Sequence, residues 1–312
     1  MRTPTAALSW RQRVRARLPR PNSAHFQNST LGILLALPLL AVLIGLLAYP
    51  MLYTLYMSFM NKQVGIAPKY VGLANYVELI QDPILREVIF NTVLYTVVCV
   101  ASKALLGFAV ALVLNENLRF RNFFRGWVLL PWVLPALVVG LTWRWMFNET
   151  AGVINYVLLQ LHLITLPVPW LADKTMAKLA VMTVNIWHGF PFFVLTLLAG
   201  MQSIPLDLYE AAEVDGASIW QRTRHIMLPW LKPVFGIVII VSSISTFNDF
   251  STIYVVTTGG PSNATHIIST YAYKVGFEAL RYGYGAAVSL VTVPFMIVFI
   301  FILATRMWRE EE

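Results

Sequence analysis

The chain has 312 residues, of which 58% are apolar and only 12% are charged, and its formal net charge is +8. A soluble globular domain carries about 25% charged residues, so the composition argues against a soluble fold and for a chain immersed in lipid. The single cysteine, Cys99, excludes disulfides, CxxC redox chemistry and cysteine-based zinc sites within the chain.

Long apolar runs divide the chain into membrane-spanning segments. About 20 consecutive apolar residues cross the hydrocarbon layer as a helix. The predicted spans are 31–59, 88–114 (interrupted by Lys103), 126–143, 179–201, 233–254 and 285–305. We therefore predict an all-α, polytopic membrane protein with six transmembrane helices over 31–305, between an N-terminal segment 1–30 and a C-terminal tail 306–312.

Five arginines between positions 11 and 20 precede the first span, a pattern that can mark a cleaved secretory signal. The apolar run is far longer than the ~7–15 residues of a signal core, and no Ala-x-Ala-like site follows it convincingly. We therefore expect the first helix to remain in the mature protein.

Lysine and arginine are distributed asymmetrically between the two sides of the predicted membrane domain. Segments 1–30, 115–125, 201–233 and 306–312 hold 14 of them, whereas loops 60–87, 148–175 and 257–285 hold 6. The positive-inside rule places both termini in the cytoplasm. The basic charge thus indicates orientation, and nucleic-acid binding is not supported.

Proline and glycine mark two irregular places. Pro131 and Pro135 lie within the third predicted span and remove backbone donors there, which we interpret chiefly as a packing kink. Gly259-Gly260-Pro261 predicts a turn directly after the fifth span.

The segment between the fourth and fifth spans is polar but regular. Residues 210–217 predict a short helix that breaks at Gly216, where a left-handed backbone is available without a side-chain clash. A second short helix is predicted over 218–227, ending before Leu228-Pro229. The charge distribution places this segment on the cytoplasmic side.

This segment resembles the EAA loop of bacterial ABC importer permeases, through Glu210-Ala211-Ala212, Asp215-Gly216-Ala217 and Ile226-Met227-Leu228-Pro229. In that family the loop docks into a groove of the cytoplasmic ATPase. The resemblance implies the type I ABC importer permease fold and a coupling role for Glu210, Ala211, Ala212, Asp215 and Gly216. Thr223 departs from the family pattern, in which many members have Phe.

A wider resemblance extends over nearly the whole chain, at Tyr49-Pro50, Gly72-Leu73-Ala74-Asn75-Tyr76, Asn91-Thr92, Leu130-Pro131, Trp187 with Gly189 and Pro191, and Gly259-Gly260-Pro261 followed by Ala264-Thr265. These motifs are similar to those of the maltose-type and glycerol-phosphate-type sugar permeases of the bacterial inner membrane. The resemblance implies a heterodimer with a second permease, two copies of a cytoplasmic ABC ATPase and an extracytoplasmic solute-binding protein. The large periplasmic insertion of the maltose member is absent, so the Gly259–Thr265 loop becomes the first candidate for binding-protein contact. The chain contains no Gly-x-x-x-x-Gly-Lys-Ser/Thr phosphate loop, so we expect no cofactor here and ATP bound by the partner ATPase.

Ionisable groups within apolar spans usually face a bundle interior or a wet cavity. Lys103, His188 and Asp249 lie within predicted spans; Lys103 is interpreted mainly as pairing with a neighbouring helix or snorkelling, while His188 is either a packing or a cavity residue. In the similar sugar permeases the fourth and fifth helices line the cavity. The resemblance implies a substrate pathway formed by His188, Gly189, Phe192, Ser242, Ser245, Thr246 and Asp249.

Two alternatives remain at this stage. A secondary transporter of a small solute would need coupling-ion chemistry and usually internal repeats, and neither is evident in the sequence. Only one permease of a pair holds the substrate in many importers, so the partner subunit could be the one that does so. A single cationic group in the spans, Lys103, favours a neutral sugar or polyol over a phosphorylated substrate.

Overall fold

The fold is described from a computed structural model that covers residues 23–116 and 118–308. Most of the predicted N-terminal segment 1–30 and the end of the predicted tail lie outside the described residues. In the first half of the chain the helices are α1 (Ser23–Leu43), α2 (Tyr49–Ser58), α3 (Ala74–Gln81), α4 (Pro83–Asn115), α5 (Arg121–Val133), α6 (Ala136–Met146) and α7 (Val153–Gln160). In the second half they are α8 (Lys174–Gln202), α9 (Leu206–Val214), α10 (Ile219–Arg222), α11 (Leu228–Phe247), α12 (Phe250–Thr257), α13 (Ile268–Tyr273), α14 (Tyr282–Leu290) and α15 (Thr292–Trp308).

Short irregular elements connect several of these helices. Three π-helical turns, Ile44–Ala48, Thr223–Met227 and Lys274–Glu278, join α1 to α2, α10 to α11 and α13 to the segment before α14. The described strands are β1 (Met60–Asn61) and β2 (Lys69–Tyr70), which pair antiparallel with Met60 opposite Tyr70. The all-α prediction is confirmed apart from this small ribbon.

The chain divides into two units after Thr54. In the first unit, residues 32–54 are helical and none is buried, and exposed side chains such as Leu35 and Leu46 are apolar. An apolar helix surface of this kind suits contact with lipid acyl chains. The second unit, from Leu55 onward, contains the remaining elements.

Five described helical stretches are long and apolar enough to cross a membrane: Gly32–Ser58, Pro83–Asn115, Lys174–Gln202, Ile219–Phe247 and Tyr282–Ile302. The pair α5 and α6 passes the same test together but is bent by 90°. Counted as one broken span, this pair completes the six predicted helices.

The core of the second unit is formed where α4 packs along α8. Gly107 makes this approach possible, because a Cβ at that position would lie 2.3 Å from the Cβ of Phe193. Small residues at helix contacts allow close packing within a bilayer. Leu197 and Leu231 continue this core toward the ends of α8 and α11.

Several predicted boundaries were wrong for local reasons. The second span begins at Pro83 rather than at residue 88, because the Asp82 side chain accepts a hydrogen bond from Ile84 N at 2.9 Å and proline suits the first helical position. The last helix continues through Trp308, beyond the predicted end at residue 305. The sixth span begins three residues before its predicted start, at Tyr282.

The third and fifth spans are broken helices. Pro135 fixes the break in the third: the residue before a proline is pushed toward extended backbone, and Leu134 has ψ 139°. A packing kink was therefore too mild an interpretation. The fifth span, predicted over 233–254, ends as α11 at Phe247, and Asp249 caps the separate helix α12 by accepting from Thr252 N at 3.1 Å.

Candidate functional site

A cavity of about 360 Å³ opens between α4, α8 and the two broken spans. Its volume falls within the range of sites that bind small ligands. All seven residues of the predicted substrate pathway line it, together with Lys103, Trp132, Ala136, Asn185, Val241, Ser251 and Thr252. The structure thus brings together in one place the residues that the sequence singled out from two helices.

Both helix breaks lie at this cavity. Trp132 and Ala136 line it from either side of the break at Leu134 and Pro135, and Thr246 and Asp249 line it from either side of the second break. The two outer half-helices, α6 and α12, pack directly on each other, with Gly140 against Val255. Broken helices are tolerated at membrane depth where they line a cavity, since the freed backbone groups find partners there.

His188 supplies one such partner. Its Nε2 lies 3.2 Å from the Leu134 carbonyl oxygen, which the break leaves without a helical donor. His188 therefore combines the two roles that the sequence left open, because it contacts the cavity and also ties α8 to the end of α5. The predicted packing and pathway interpretations do not exclude each other.

Lys103 reaches the cavity wall from α4. Its side chain is 4% exposed, and its Nζ donates to Thr246 Oγ1 on α11 at 2.7 Å. Gly189 makes room for it, because a Cβ there would lie 2.7 Å from Lys103 Cδ. Pairing with a neighbouring helix is confirmed. The same contact also places the ammonium, with further donor capacity, at the cavity.

Asp249 is held by donors from three elements. Its Oδ2 accepts from Tyr95 Oη at 2.8 Å and from Asn185 Nδ2 at 2.7 Å, while Oδ1 accepts from Thr252 N. The carboxylate joins α4, α8 and the start of α12. Asp249 lines the cavity as predicted, but its hydrogen bonds show that it also holds together the helices that form the cavity wall.

An aromatic pair also lines the cavity. Trp132 and Phe192 stack with ring centroids 6.0 Å apart and an interplanar angle of 28°. Trp187, on the same helix as Phe192, instead packs edge-on against Trp143 and does not line the cavity. The hydroxyls of Ser242, Ser245 and Thr246 complete a lining that offers hydrogen bonds and an apolar surface.

Trp132, Asn185 and Tyr95 were not identified from the sequence. Trp132 belongs to the third span, and only its position next to the proline break could have pointed to it. Asn185 and Tyr95 are neutral residues, so no charge marked them. Their importance follows from contacts across 64 and 154 residues of sequence.

The predicted coupling segment, residues 206–233, is organised by local interactions. Helix α9 ends at Val214, and Gly216 has φ +73°, so the predicted left-handed break is confirmed. Ser218 and Gln221 form a reciprocal capping box at the start of α10. Of the predicted coupling residues, Glu210, Ala211, Asp215 and Gly216 are exposed and Ala212 is half-buried.

Apolar side chains surround these residues on the surface. Val214 is 88% exposed, and Ile219 and Trp220 are also exposed. Tyr209 on α9 faces the core cluster instead, and burial raises the pKa of its hydroxyl, with Arg222 acting in the opposite direction. One side of the segment thus contacts the core and the other is open.

The predicted end of the second short helix was wrong. Helix α10 passes through the π turn Thr223–Met227 into α11, so that residues 219–247 form one continuous stretch. In the π turn Leu228 N donates to Thr223 O, five residues earlier, and this shifted hydrogen bonding leads into Pro229 without ending the helix. Thr223 is buried in this turn.

The loop Gly259–Thr265 is held firmly by other elements of the second unit. Asn91 Nδ2 donates to Ala264 O at 2.9 Å, and Lys274 Nζ donates to Asn263 Oδ1 at 2.7 Å. Burial lowers the pKa of the adjacent His266 to about 4, and nearby Lys274 adds to the shift. Because residues 264 and 265 are buried, the surface that remains for a partner is the tip at 261–263.

The family model and the similar proteins all indicate the same family. Residues 103–305 match the family described as binding-protein-dependent transport system inner membrane component. The trehalose/maltose transport system permease protein MalF of Thermococcus litoralis is 37% identical over 276 residues, covering 88% of this chain and 92% of the relative. The inner membrane ABC transporter permease protein YcjO of Escherichia coli is 36% identical, covering 88% of this chain and 92% of the relative.

Solved structures agree at the level of the fold. A bacterial ABC transporter involved in the import of the acidic polysaccharide alginate matches with a TM-score of 0.80 and 24% identity, covering 92% of this chain and 98% of the matched chain. The arrangement of broken and continuous spans is therefore the type I ABC importer permease fold. The chain belongs to the family of binding-protein-dependent transport system inner membrane components.

Proposed function

We propose that this chain is a permease subunit of an ATP-driven, binding-protein-dependent importer for a neutral sugar, oligosaccharide or polyol. The observation that carries the proposal is the cavity, where serine and threonine hydroxyls, the Lys103 ammonium and the Trp132–Phe192 stack converge. A carbohydrate presents hydroxyls at its edge and an apolar face, and such a lining matches both. Relatives named for trehalose/maltose and for galactooligosaccharides support this substrate class.

A neutral substrate is favoured by the charges at the wall. Lys103 and Asp249 are the charged residues among those that line the cavity, one of each sign. The carboxylate is already occupied by three donors and the ammonium by one acceptor. A phosphorylated solute would call for further fixed cations.

The proposed assembly pairs this chain with a second permease, which supplies the other half of the pathway, and with two copies of a cytoplasmic ATPase. The coupling segment supports this arrangement because its exposed apolar side chains and Glu210 would otherwise be left at an aqueous surface. In this proposal ATP is bound and hydrolysed only by the partner. Both termini then lie in the cytoplasm, and the tip at 261–263 faces the solute-binding protein outside.

Reconstitution tests the proposal directly. The chain is purified together with its genomic neighbours, placed in proteoliposomes and tested for ATP-dependent uptake of labelled maltose or trehalose presented by the companion binding protein. An oligouronide is the acidic control, and a hydrolysis-deficient ATPase is the coupling control. ATP hydrolysis by the isolated pure chain, or uptake driven by an ion gradient without ATP, would contradict the assignment.

A further inference from the structure

A second opening lies at the end of α8 that leads into the coupling segment, away from the substrate cavity. It is a groove of about 140 Å³ between the end of α4, the start of α5 and α8. Its walls are apolar apart from Arg125 and Gln202, and the apolar lining includes Leu114, Leu129, Leu195 and Leu198. An apolar lining of this kind does not suit a sugar.

Arg125 is the charged group in this groove. Its Nη2 donates to the Leu114 carbonyl oxygen at 3.3 Å, and its Nε is buried and has no hydrogen-bond partner. No carboxylate of the described residues lies within 4.0 Å of the guanidinium. A half-buried guanidinium offers five donors, and leaving them unpaired in apolar surroundings is costly. The guanidinium therefore has a buried donor available to an anionic ligand.

Aromatic and basic side chains surround the same end of α5. Phe120, Phe123 and Trp127 are each more than 60% exposed, and Phe123 stacks on Trp127. Arg119 lies over the Phe120 ring at 5.4 Å. Exposed aromatic rings next to arginines are typical of the depth at which lipid headgroups meet the hydrocarbon layer.

We propose that this groove binds one anionic phospholipid, whose phosphate pairs with Arg125 and whose acyl chain lies along Leu129, Leu195 and Leu198. A phosphate oxygen would satisfy the Nε donor, and the apolar walls would receive the chain. Basic pockets between transmembrane helices on the cytoplasmic side are suited to acidic headgroups. The inference does not depend on which solute the protein transports.

The site also lies next to the coupling segment. Gln202 is the last residue of α8, and α9 begins at Leu206. A lipid bound there would hold the ends of α4, α5 and α8 together where the coupling segment begins. The lipid would thus act as a structural ligand of that end of the subunit.

Native mass spectrometry of the assembled importer tests the site. The complex is titrated with phosphatidylglycerol or with phosphatidylcholine of the same acyl chains. We expect selective retention of phosphatidylglycerol, and at least fivefold lower occupancy of one binding event in Arg125→Gln. Arg144→Gln is the matched control, because Arg144 also donates to a backbone carbonyl at 3.3 Å, that of Val255, but lies outside the groove.

Leu129→Trp provides a second, independent variant. It fills the groove and keeps the charge, so it should lower the same occupancy even if Arg125→Gln fails to assemble. Equal retention of the two lipids, or unchanged occupancy in the groove variants, would overturn the proposal. Displacement of phosphatidylglycerol by millimolar inorganic phosphate would also overturn it, since the site would then bind soluble anions.

Discussion

The cavity that we propose as the substrate site and the predicted coupling segment are stabilised in opposite ways. At the cavity, Asp249 and Lys103 are fixed by side chains from helices far apart in the sequence. In the coupling segment, Gly216 and the Ser218–Gln221 capping box act within a few residues of chain. Changes at Asp249 or Lys103 should therefore disturb the membrane fold, whereas changes in the coupling segment should leave that fold intact and affect what docks on it.

The largest expected effect is that of Asp249→Ala. It removes the acceptor of Tyr95, Asn185 and Thr252 N together, at a cost of about 3 kcal/mol or more because buried donors are left unpaired. We expect a lower yield of assembled complex and a lower melting temperature of what remains. Asp249→Asn, which keeps a carbonyl oxygen, should be milder. If Asp249→Ala has the wild-type melting temperature, Asp249 does not stabilise the cavity wall.

Gly216→Val should have the next largest effect, through the backbone alone. A Cβ at Gly216 meets no atom within 4 Å, so the cost is the positive φ, about 1–3 kcal/mol. We expect the permease to assemble in the membrane but to lose substrate-stimulated ATP hydrolysis. Gly216→Asn is the control, because asparagine tolerates the left-handed region. If wild type and Gly216→Val show equal substrate-stimulated ATP hydrolysis, the bend at Gly216 is not needed for coupling.

Glu210→Ala should weaken ATPase binding while sparing the membrane domain. If Glu210 makes a charge-assisted hydrogen bond to the partner, its loss costs about 1.5–3 kcal/mol, or roughly ten- to a hundredfold in affinity. The measurement is ATPase retention on the purified permease pair. Glu213→Ala serves as the control, since Glu213 already lies 3.9 Å from Arg222 of the same segment. Equal losses in both variants would indicate a general charge effect.

Phe192→Ala should have the smallest effect of the four. It removes one of the two rings that we propose contact the sugar; if that contact is worth as much as an aromatic pair, about 0.5–1.5 kcal/mol, half-saturation of uptake should rise a few-fold to about tenfold. Assembly should be unchanged. Phe277→Ala removes a comparable stacked pair with Tyr273 outside the cavity and should leave uptake unaltered. If uptake is unaltered in Phe192→Ala as well, we would infer that the partner permease makes the aromatic contact with the substrate.

The sequence predicted which residues line the cavity better than it predicted the contacts that hold them in place. The cost of polar groups at membrane depth marked Lys103, His188 and Asp249 as exceptional residues of the spans. The resemblance to sugar permeases then implied the seven pathway residues. The sequence did not reveal that Tyr95 and Asn185 hold Asp249, or that Gly189 gives Lys103 room to cross to α11. Nothing in the sequence around a neutral side chain or a glycine indicates which distant residue it contacts in the fold.

By itself the sequence determined the number of spans, the asymmetry of basic residues and the bend at Gly216, since apolar length, charge and left-handed backbone are properties of short stretches of chain. Only the tertiary structure decided where the third and fifth spans break, what partners Asp249 has and which surface of the Gly259–Thr265 loop remains exposed. Those features depend on groups such as Tyr95 and Asp249, 154 residues apart, finding each other in a packed interior. A buried polar group must be paired by whatever element the fold places beside it, and that element is set by packing of the whole domain.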